Sequence, residues 1–272
     1  MQTLTLREKP HLFGRVWPVE APRGAICIVH GLGEHSERYA PLADALNAAG
    51  FAVTALDLRG HGRTESKRGH IARYGDALGD IAQLLAYAES AFAHAPLFLY
   101  GHSLGGNLVL NYLLRRNVDD LAGAIVSSPW LRLSFEPPAY KIALARTLGR
   151  LLPGFLQPSG LNPDHLSHDP AVVQAYRNDP LVHDRISAAL FLNIHEAGLW
   201  ALENAKKLHT PLLLMHGAAD PITSPDASRE FCARAGDFCT LKLWEGMYHE
   251  VHNEIGKEAV YRTVVDWLQA HV

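Results

Sequence analysis

Short apolar runs recur along the chain, and each gives way to glycine, histidine, serine, aspartate or glutamate before a new segment begins. Residues 25–29 run into His30-Gly31, and 51–56 run into Asp57. Residues 97–100 precede Gly101, 123–126 precede Ser127-Ser128-Pro129, and 212–215 precede His216-Gly217. Residues 241–244 lead to Glu245-Gly246. Runs of this length suit strands covered on both faces, as in a parallel sheet. Between them, 39–49, 74–93, 105–114 and 254–269 carry helical patterns. The alternation predicts a mainly parallel sheet with helices on both faces. Residues 4–7 and 12–17 read as an antiparallel pair at its edge.

The rhythm breaks between residues 130 and 209. Prolines 137, 138, 153, 158, 163, 170 and 180 cluster there among helical pieces, with no strand of the earlier kind. The segment lies between two core strands, so it reads as a helical cap (130–209) inserted into a core formed by 1–129 and 210–272. Within it, Leu144, Ala145, Leu148, Leu151 and Leu152 share one side of a helix, with Arg146 and Arg150 opposite. Packing of that stripe onto the core is the first expectation. Leu148 and Leu152 are also expected to line an acyl-chain tunnel, and the stripe to give transient contact with a membrane surface.

Gly101-His102-Ser103-Leu104-Gly105 stands where a strand should turn into a helix. A serine on such a turn is held in strained backbone above the sheet, with glycines where side chains would collide. Its hydroxyl needs a base, and the base needs an orienting acid. Asp220 follows the 212–215 strand and His249 follows the 241–244 strand. The order Ser, Asp, His is that of the α/β-hydrolase arrangement. An oxyanion would need preorganised donors. The backbone N–H groups of Leu104 and of Leu32, in His30-Gly31-Leu32-Gly33, are the candidates.

Composition narrows the class. Among 272 residues the net charge is −3 and no basic tract occurs, which argues against a nucleic-acid partner. Three cysteines (Cys27, Cys232, Cys239) suggest buried thiols in a reducing compartment, with a Cys232–Cys239 pair as the alternative. The N-terminal residues 1–9 lack the pattern of a secretory signal, and no apolar stretch is long enough to span a bilayer. A cytoplasmic protein is expected. His165 and His168 invite a metal reading, but no His-Glu-x-x-His occurs, and no metal is expected.

The segment from His30 to Tyr39 (HGLGEHSERY) resembles the signature loop of the monoacylglycerol lipase and lysophospholipase family. Asp57-Leu58-Arg59-Gly60-His61-Gly62, Gly101 to Gly106, Asn178-Asp179-Pro180-Leu181-Val182 and Tyr248-His249-Glu250 are similar to the same family, in its order. The resemblance implies an α/β-hydrolase fold with a helical cap and no cofactor. It implies cleavage of a monoacylglycerol or similar lipid monoester to fatty acid and alcohol through an acyl-enzyme. It assigns Ser103, Asp220 and His249 as nucleophile, acid and base, with Leu32 and Leu104 as oxyanion donors. It also makes Glu34, Arg38 and His252 a hydrogen-bonded network at the glycerol end. Asp57 and His61 would fix a turn, and Glu250 has no assigned role. Lysophospholipase, carboxylesterase and thioesterase activities are the alternatives, as is an inactive binding protein. Ser103 argues against the aspartate-nucleophile epoxide hydrolases and dehalogenases.

Overall fold

The computed structural model describes residues 1–6, 11–136 and 138–272. Arg7, the expected end of the first strand, and Pro137 lie outside them. Strands β1 (Gln2–Leu6), β2 (Leu12–Trp17), β3 (Gly24–Val29), β4 (Phe51–Leu56), β5 (Leu97–His102), β6 (Leu121–Ser127), β9 (Leu212–Gly217) and β10 (Cys239–Trp244) form one sheet. Their spatial order is β1-β2-β4-β3-β5-β6-β9-β10. β1 and β2 pair antiparallel with their neighbours at one edge, and the remaining pairs are parallel. The chain leaves β3 toward β4, then crosses back to β5 on the other side. The ends of β3 and β5 therefore flank the point where an open α/β sheet leaves room for a ligand.

Strand pleating divides the core in two. Ala25, Cys27 and Val29 of β3 face one apolar cluster, while Ile26 and Ile28 face the other. The first cluster is closed by α2 (Tyr74–Ala91), α3 (Leu104–Arg115), α6 (Ala188–Asn204) and α7 (Pro225–Ala235) through residues such as Ile81, Leu108, Ile194 and Phe231. The second is closed by α1 (Ala40–Ala48) and α8 (Lys257–Gln269), through Leu42, Leu46, Val260 and Val264. Each apolar side chain fully buried this way stabilises the fold by roughly 1.5–3 kcal/mol before entropy is counted.

Between β6 and β9 the chain forms α4 (Ala139–Leu151), a short antiparallel pair β7 (Leu156–Pro158) and β8 (Arg185–Ser187), α5 (Pro170–Asn178) and α6. α6 is clasped to the core: Asn107 Nδ2 donates to the Ile194 carbonyl at 3.1 Å, and Asn111 Nδ2 to that of Ala197 at 3.1 Å. α4 lies against α6 rather than on the core through its leucines. Ala145 is buried, Leu148 is half-buried, and Leu144, Leu151 and Leu152 are 56%, 73% and 58% exposed. The expected packing of the leucine stripe is thus not found. The reason is that Ala145 and Gly149 form the contact face. A Cβ on Gly149 would come within 2.8 Å of Leu192 Cδ1, so small residues there let the helices approach. The leucine flank is left in solvent.

Cys232 and Cys239 are joined as a disulfide between α7 and the start of β10. Only Cys27 remains a free buried thiol, so the expectation of three reduced cysteines is corrected.

Candidate active site

β5 ends at His102 and α3 begins at Leu104, leaving Ser103 at φ 53°, ψ −112°. Such backbone costs about 1–3 kcal/mol and persists only where its surroundings hold it. Here Ser103 N donates to the Ser127 carbonyl at 3.0 Å, and the Ser103 carbonyl accepts from Asn107 N at 2.9 Å and Trp130 N at 3.0 Å. The flanking glycines have a steric reason. A Cβ on Gly101 would sit 2.5 Å from the Gly105 carbonyl oxygen, and one on Gly105 would strike the Val29 carbonyl.

Asp220 and His249 come from loops beyond β9 and β10. His249 Nδ1 stands 2.7 Å from Asp220 Oδ2, both groups buried. The carboxylate is crowded with donors. Oδ1 accepts from the amides of Ile222 at 2.7 Å and Thr223 at 3.2 Å, and Oδ2 accepts from Thr223 Oγ1 at 2.8 Å. Burial opposes its charge, but His249 and the hydrogen bonds from His216 and His249 outweigh it and hold Asp220 well below the usual carboxylate range. Burial likewise opposes a charged His249. Asp220, then Glu250 and Glu34, outweigh it and lift His249 above the usual histidine value.

The loop after β3 comes up beside Ser103. Glu34 Oε1 accepts from Gly31 N at 2.6 Å and from Tyr39 Oη at 2.8 Å, which pins Gly31-Leu32-Gly33 against the serine. Leu32 and Ser103 border the same cavity, and Leu104 N–H is the first of α3, where no intrahelical acceptor exists. The cavity is closed by His249 and Glu34 from the core and by Leu161, Leu166 and Tyr176 from the insertion. Its free volume is about 10 Å³, room for about one water molecule.

Of the expected polar network, Glu34 and Arg38 are joined and His252 is not. Arg38 bonds Glu34 Oε2 at 2.5 Å and grips Glu250 in a bidentate pair at 2.6 and 2.7 Å. Burial would lift the Glu250 carboxyl, yet Arg38 and Asn253 bring it down to about 2. Neither ring nitrogen of His252 has a partner. The ring stacks on Tyr39 with centroids 5.0 Å apart, and burial pushes its pKa down to about 4. It packs among the rings of Tyr39, Tyr100 and His102, while the nearby Glu34 and Glu250 carboxylates are engaged by Arg38. Leu148, half-buried, and Leu152, exposed just past the end of α4, are not among the side chains that line the Ser103 cavity, so the tunnel lining expected of them is not found there.

Asp57 fixes the turn expected of it, accepting from Ser36 N at 2.8 Å and Arg63 N at 2.8 Å. His61 lies buried in that turn with Nδ1 3.1 Å from the Arg59 carbonyl. The 30–39 and 178–182 segments meet through His35, whose Nε2 lies 2.8 Å from Asp179 Oδ2. His168 binds the buried Glu254 at 2.8 Å, and Glu254 also accepts from Tyr248 N at 2.9 Å, beside His249. Among the described residues no cluster of three ligating side chains could hold a metal ion. Sequence reasoning missed Leu161, Leu166, Tyr176, His216, Glu250 and Glu254. The His216-Gly217-Ala218-Ala219-Asp220 spacing was the one local signal available among them.

A family model described as serine aminopeptidase, S33, matches residues 20–256. A monoacylglycerol lipase of Mycolicibacterium smegmatis is 34% identical over 94% of this chain and 92% of its own. A longer abhydrolase domain-containing protein of Dictyostelium discoideum is 36% identical; this chain is covered in full but spans only 29% of that protein. The crystal structure of a Paleococcus ferrophilus monoacylglycerol lipase superposes with a TM-score of 0.89 at 38% identity, covering 96% of this chain and 99% of its own. The fold is that of the α/β-hydrolases, and the chain belongs to the S33 serine hydrolases, among their monoacylglycerol lipase-like members.

Proposed function

We propose that the protein hydrolyses monoacylglycerols to fatty acid and glycerol through an acyl-enzyme on Ser103. One observation carries the reading: Asp220 Oδ2 engages His249 Nδ1 at 2.7 Å on the cavity that Ser103 borders. With Nδ1 protonated, Nε2 is free to take the Ser103 proton as Oγ attacks the ester carbonyl. The carbonyl oxygen becomes an oxyanion, and the N–H groups of Leu32 and Leu104 receive it. His249 then hands the proton to the departing glycerol oxygen. Water, deprotonated by the same imidazole, releases the fatty acid. Glu34 and Arg38 hold the Leu32 loop and border the glycerol end. No cofactor is invoked. The substrate class rests on the likeness to monoacylglycerol lipases and on the apolar side chains of Leu161, Leu166 and Tyr176 beside Ser103.

An acyl chain needs more room than the cavity offers, so entry requires those three side chains to move. On this reading residues 130–209 act as the cap over a core of 1–129 and 210–272, with α6 as the floor on which the cap stands. The exposed flank of α4, with Leu144, Leu151 and Leu152, is the face we assign to transient contact with a lipid surface. No helix among the described residues is long and apolar enough to cross a membrane. The cytoplasm is the proposed compartment, and the Cys232–Cys239 disulfide is the observation that opposes it; thiol titration of denatured protein from unbroken cells decides, three thiols without reductant supporting the cytoplasm and two released only by reductant overturning it.

The decisive experiment pairs a fluorophosphonate probe with a substrate panel. Wild type should be labelled and Ser103→Ala should not. Monoacylglycerols of graded length should turn over faster than lysophosphatidylcholine, short acetate esters and an amino-acid nitroanilide. Labelling that persists in Ser103→Ala overturns the nucleophile, and preference for the lysophospholipid or the anilide overturns the substrate class.

A further inference from the structure

We infer that His216 is a positioning residue of the site, a second imidazole that holds the Asp220 carboxylate in register for His249. The inference rests on the proposed triad and extends it by one shell. His216 is the fifth residue of β9 and its side chain is wholly buried. Its Nε2 lies 3.0 Å from Asp220 Oδ2, the same oxygen that His249 engages. Its Nδ1 lies 2.7 Å from Ser228 Oγ on α7.

The two contacts together fix the ring's proton. In the neutral ring Nε2 donates, because Oδ2 and the Thr223 carbonyl 3.2 Å away can only accept, and Nδ1 then accepts from the Ser228 hydroxyl. His249 needs the opposite tautomer, with its proton on Nδ1. One carboxylate oxygen is thus held between two imidazoles, with the Thr223 hydroxyl as a third donor at 2.8 Å. The arrangement has a purpose beyond packing. A carboxylate free to rotate would present Oδ1 or Oδ2 to His249 at random. Here Oδ1 is tied to two loop amides, and Oδ2 is fixed from the sheet side by His216. Because His216 is anchored on β9, a strand paired on both sides by β6 and β10, and is braced by α7, it carries the rigidity of the sheet into a loop residue.

A donor on Oδ2 also draws charge away from the side facing His249. Removing it should make His249 easier to protonate, so the acid limb of the rate profile should move to higher pH. The other groups facing His249 are Glu34 from the loop after β3, Glu250 from its own loop with Arg38 bound to both, His252 three residues on, the Thr223 hydroxyl 3.3 Å from Nδ1, and the His102 ring 4.8 Å away on β5. None of these is altered by substitution at 216, so the shift reports on Asp220.

The test uses full-length protein and a soluble p-nitrophenyl ester. His216→Leu combined with Ser228→Ala removes both ends of the link without leaving a buried hydroxyl unpartnered. We expect kcat to fall about tenfold, the worth of one buried hydrogen bond, with KM unchanged and the acid limb moved upward. His216→Gln can place an amide N–H where Nε2 was and should recover kcat to within about twofold. His216→Asn keeps a polar group near Ser228 but falls short of Asp220, and should resemble the double variant; it serves if the double variant does not fold. Wild-type kcat and pH profile in folded His216→Asn or the double variant would overturn the inference. Equal losses in His216→Gln and His216→Asn would also overturn it, since that pattern marks a packing role. If wild type shows no Ser103-dependent turnover, the triad reading fails and takes this inference with it. Ser103-dependent turnover with indifferent variants sinks this inference alone.

Discussion

The loops around Ser103 and the helix α4 answer the same solvent in opposite ways. Beside Ser103, charged and polar groups are buried and bound several times over: Asp220 accepts five hydrogen bonds, and Arg38 is shared between Glu34 and Glu250. On α4, Leu144 and Leu151, and Leu152 just past its end, stand more than half in solvent. The first region spends stability to fix geometry, because each buried charge needs several partners before it can stay charged. The second leaves apolar surface unburied, which contributes nothing to the stability of the fold. We assign reaction geometry to the first region and contact with a lipid phase to the second, so the two should respond differently to mutation.

The largest separation should come from Ser103→Ala. Ester hydrolysis should fall by about 10⁴-fold or more with the melting temperature nearly unchanged, because alanine meets the same backbone strain as serine. Turnover in folded Ser103→Ala above a few per cent of wild type would remove Ser103 from the chemistry. Arg38→Met should instead act on stability, costing about 3–5 kcal/mol in a urea titration by stranding Glu34 and Glu250. The pH dependence fixes the sign. Glu250 has a folded value near 2 against 4.5 when free, so its stabilisation is complete above about pH 4.5 and is lost as pH falls toward 2. The gap between wild type and Arg38→Met should therefore narrow in acid; a gap independent of pH would mean that the Glu250 pair is not its source.

Smaller effects should sharpen the contrast. The acid limb of kcat/KM on a soluble ester should have its midpoint above 6.5, because Asp220 favours the charged form of His249 and the uncharged form is the base. A midpoint below 6.5 would show that burial outweighs the carboxylate. Replacing Leu144, Leu151 and Leu152 together by serine should leave stability within about 0.5 kcal/mol and soluble-ester turnover unchanged. Turnover of long-chain monoacylglycerol in vesicles should drop a few-fold, read against the same substrate in detergent. Equal activity in both would leave the exposed flank without its assigned role.

What the sequence made legible follows the same division. The central strands could be located because burial on both faces writes a continuous apolar run, and Ser103 because its turn demands glycines at 101 and 105. Asp220 and His249 were findable because each follows a recognisable strand. Glu250 was not, since its partner Arg38 is 212 residues away and no local pattern encodes that pairing. Leu161 and Leu166 lie in proline-broken segments that carry no period to align, and the period of α5 marks Val173 and Tyr176 as a buried face without saying what that face meets. The helical stripe on α4 misled for a physical reason. Amphipathic reasoning takes the largest apolar residues for the buried face, whereas close helix contact selects the smallest, here Ala145 and Gly149.

The peptide carbonyl of Ser103 receives the amide of Trp130, the residue at which the chain departs from the sheet toward α4. On the proposed reading, Ser103 as nucleophile and the root of the 130–209 cap are therefore one mechanical joint. Engineering that exchanges the cap for another to change chain-length preference should place its upstream splice beyond Leu131. A junction cut any earlier would carry the graft's own strain straight into the turn that aims the serine.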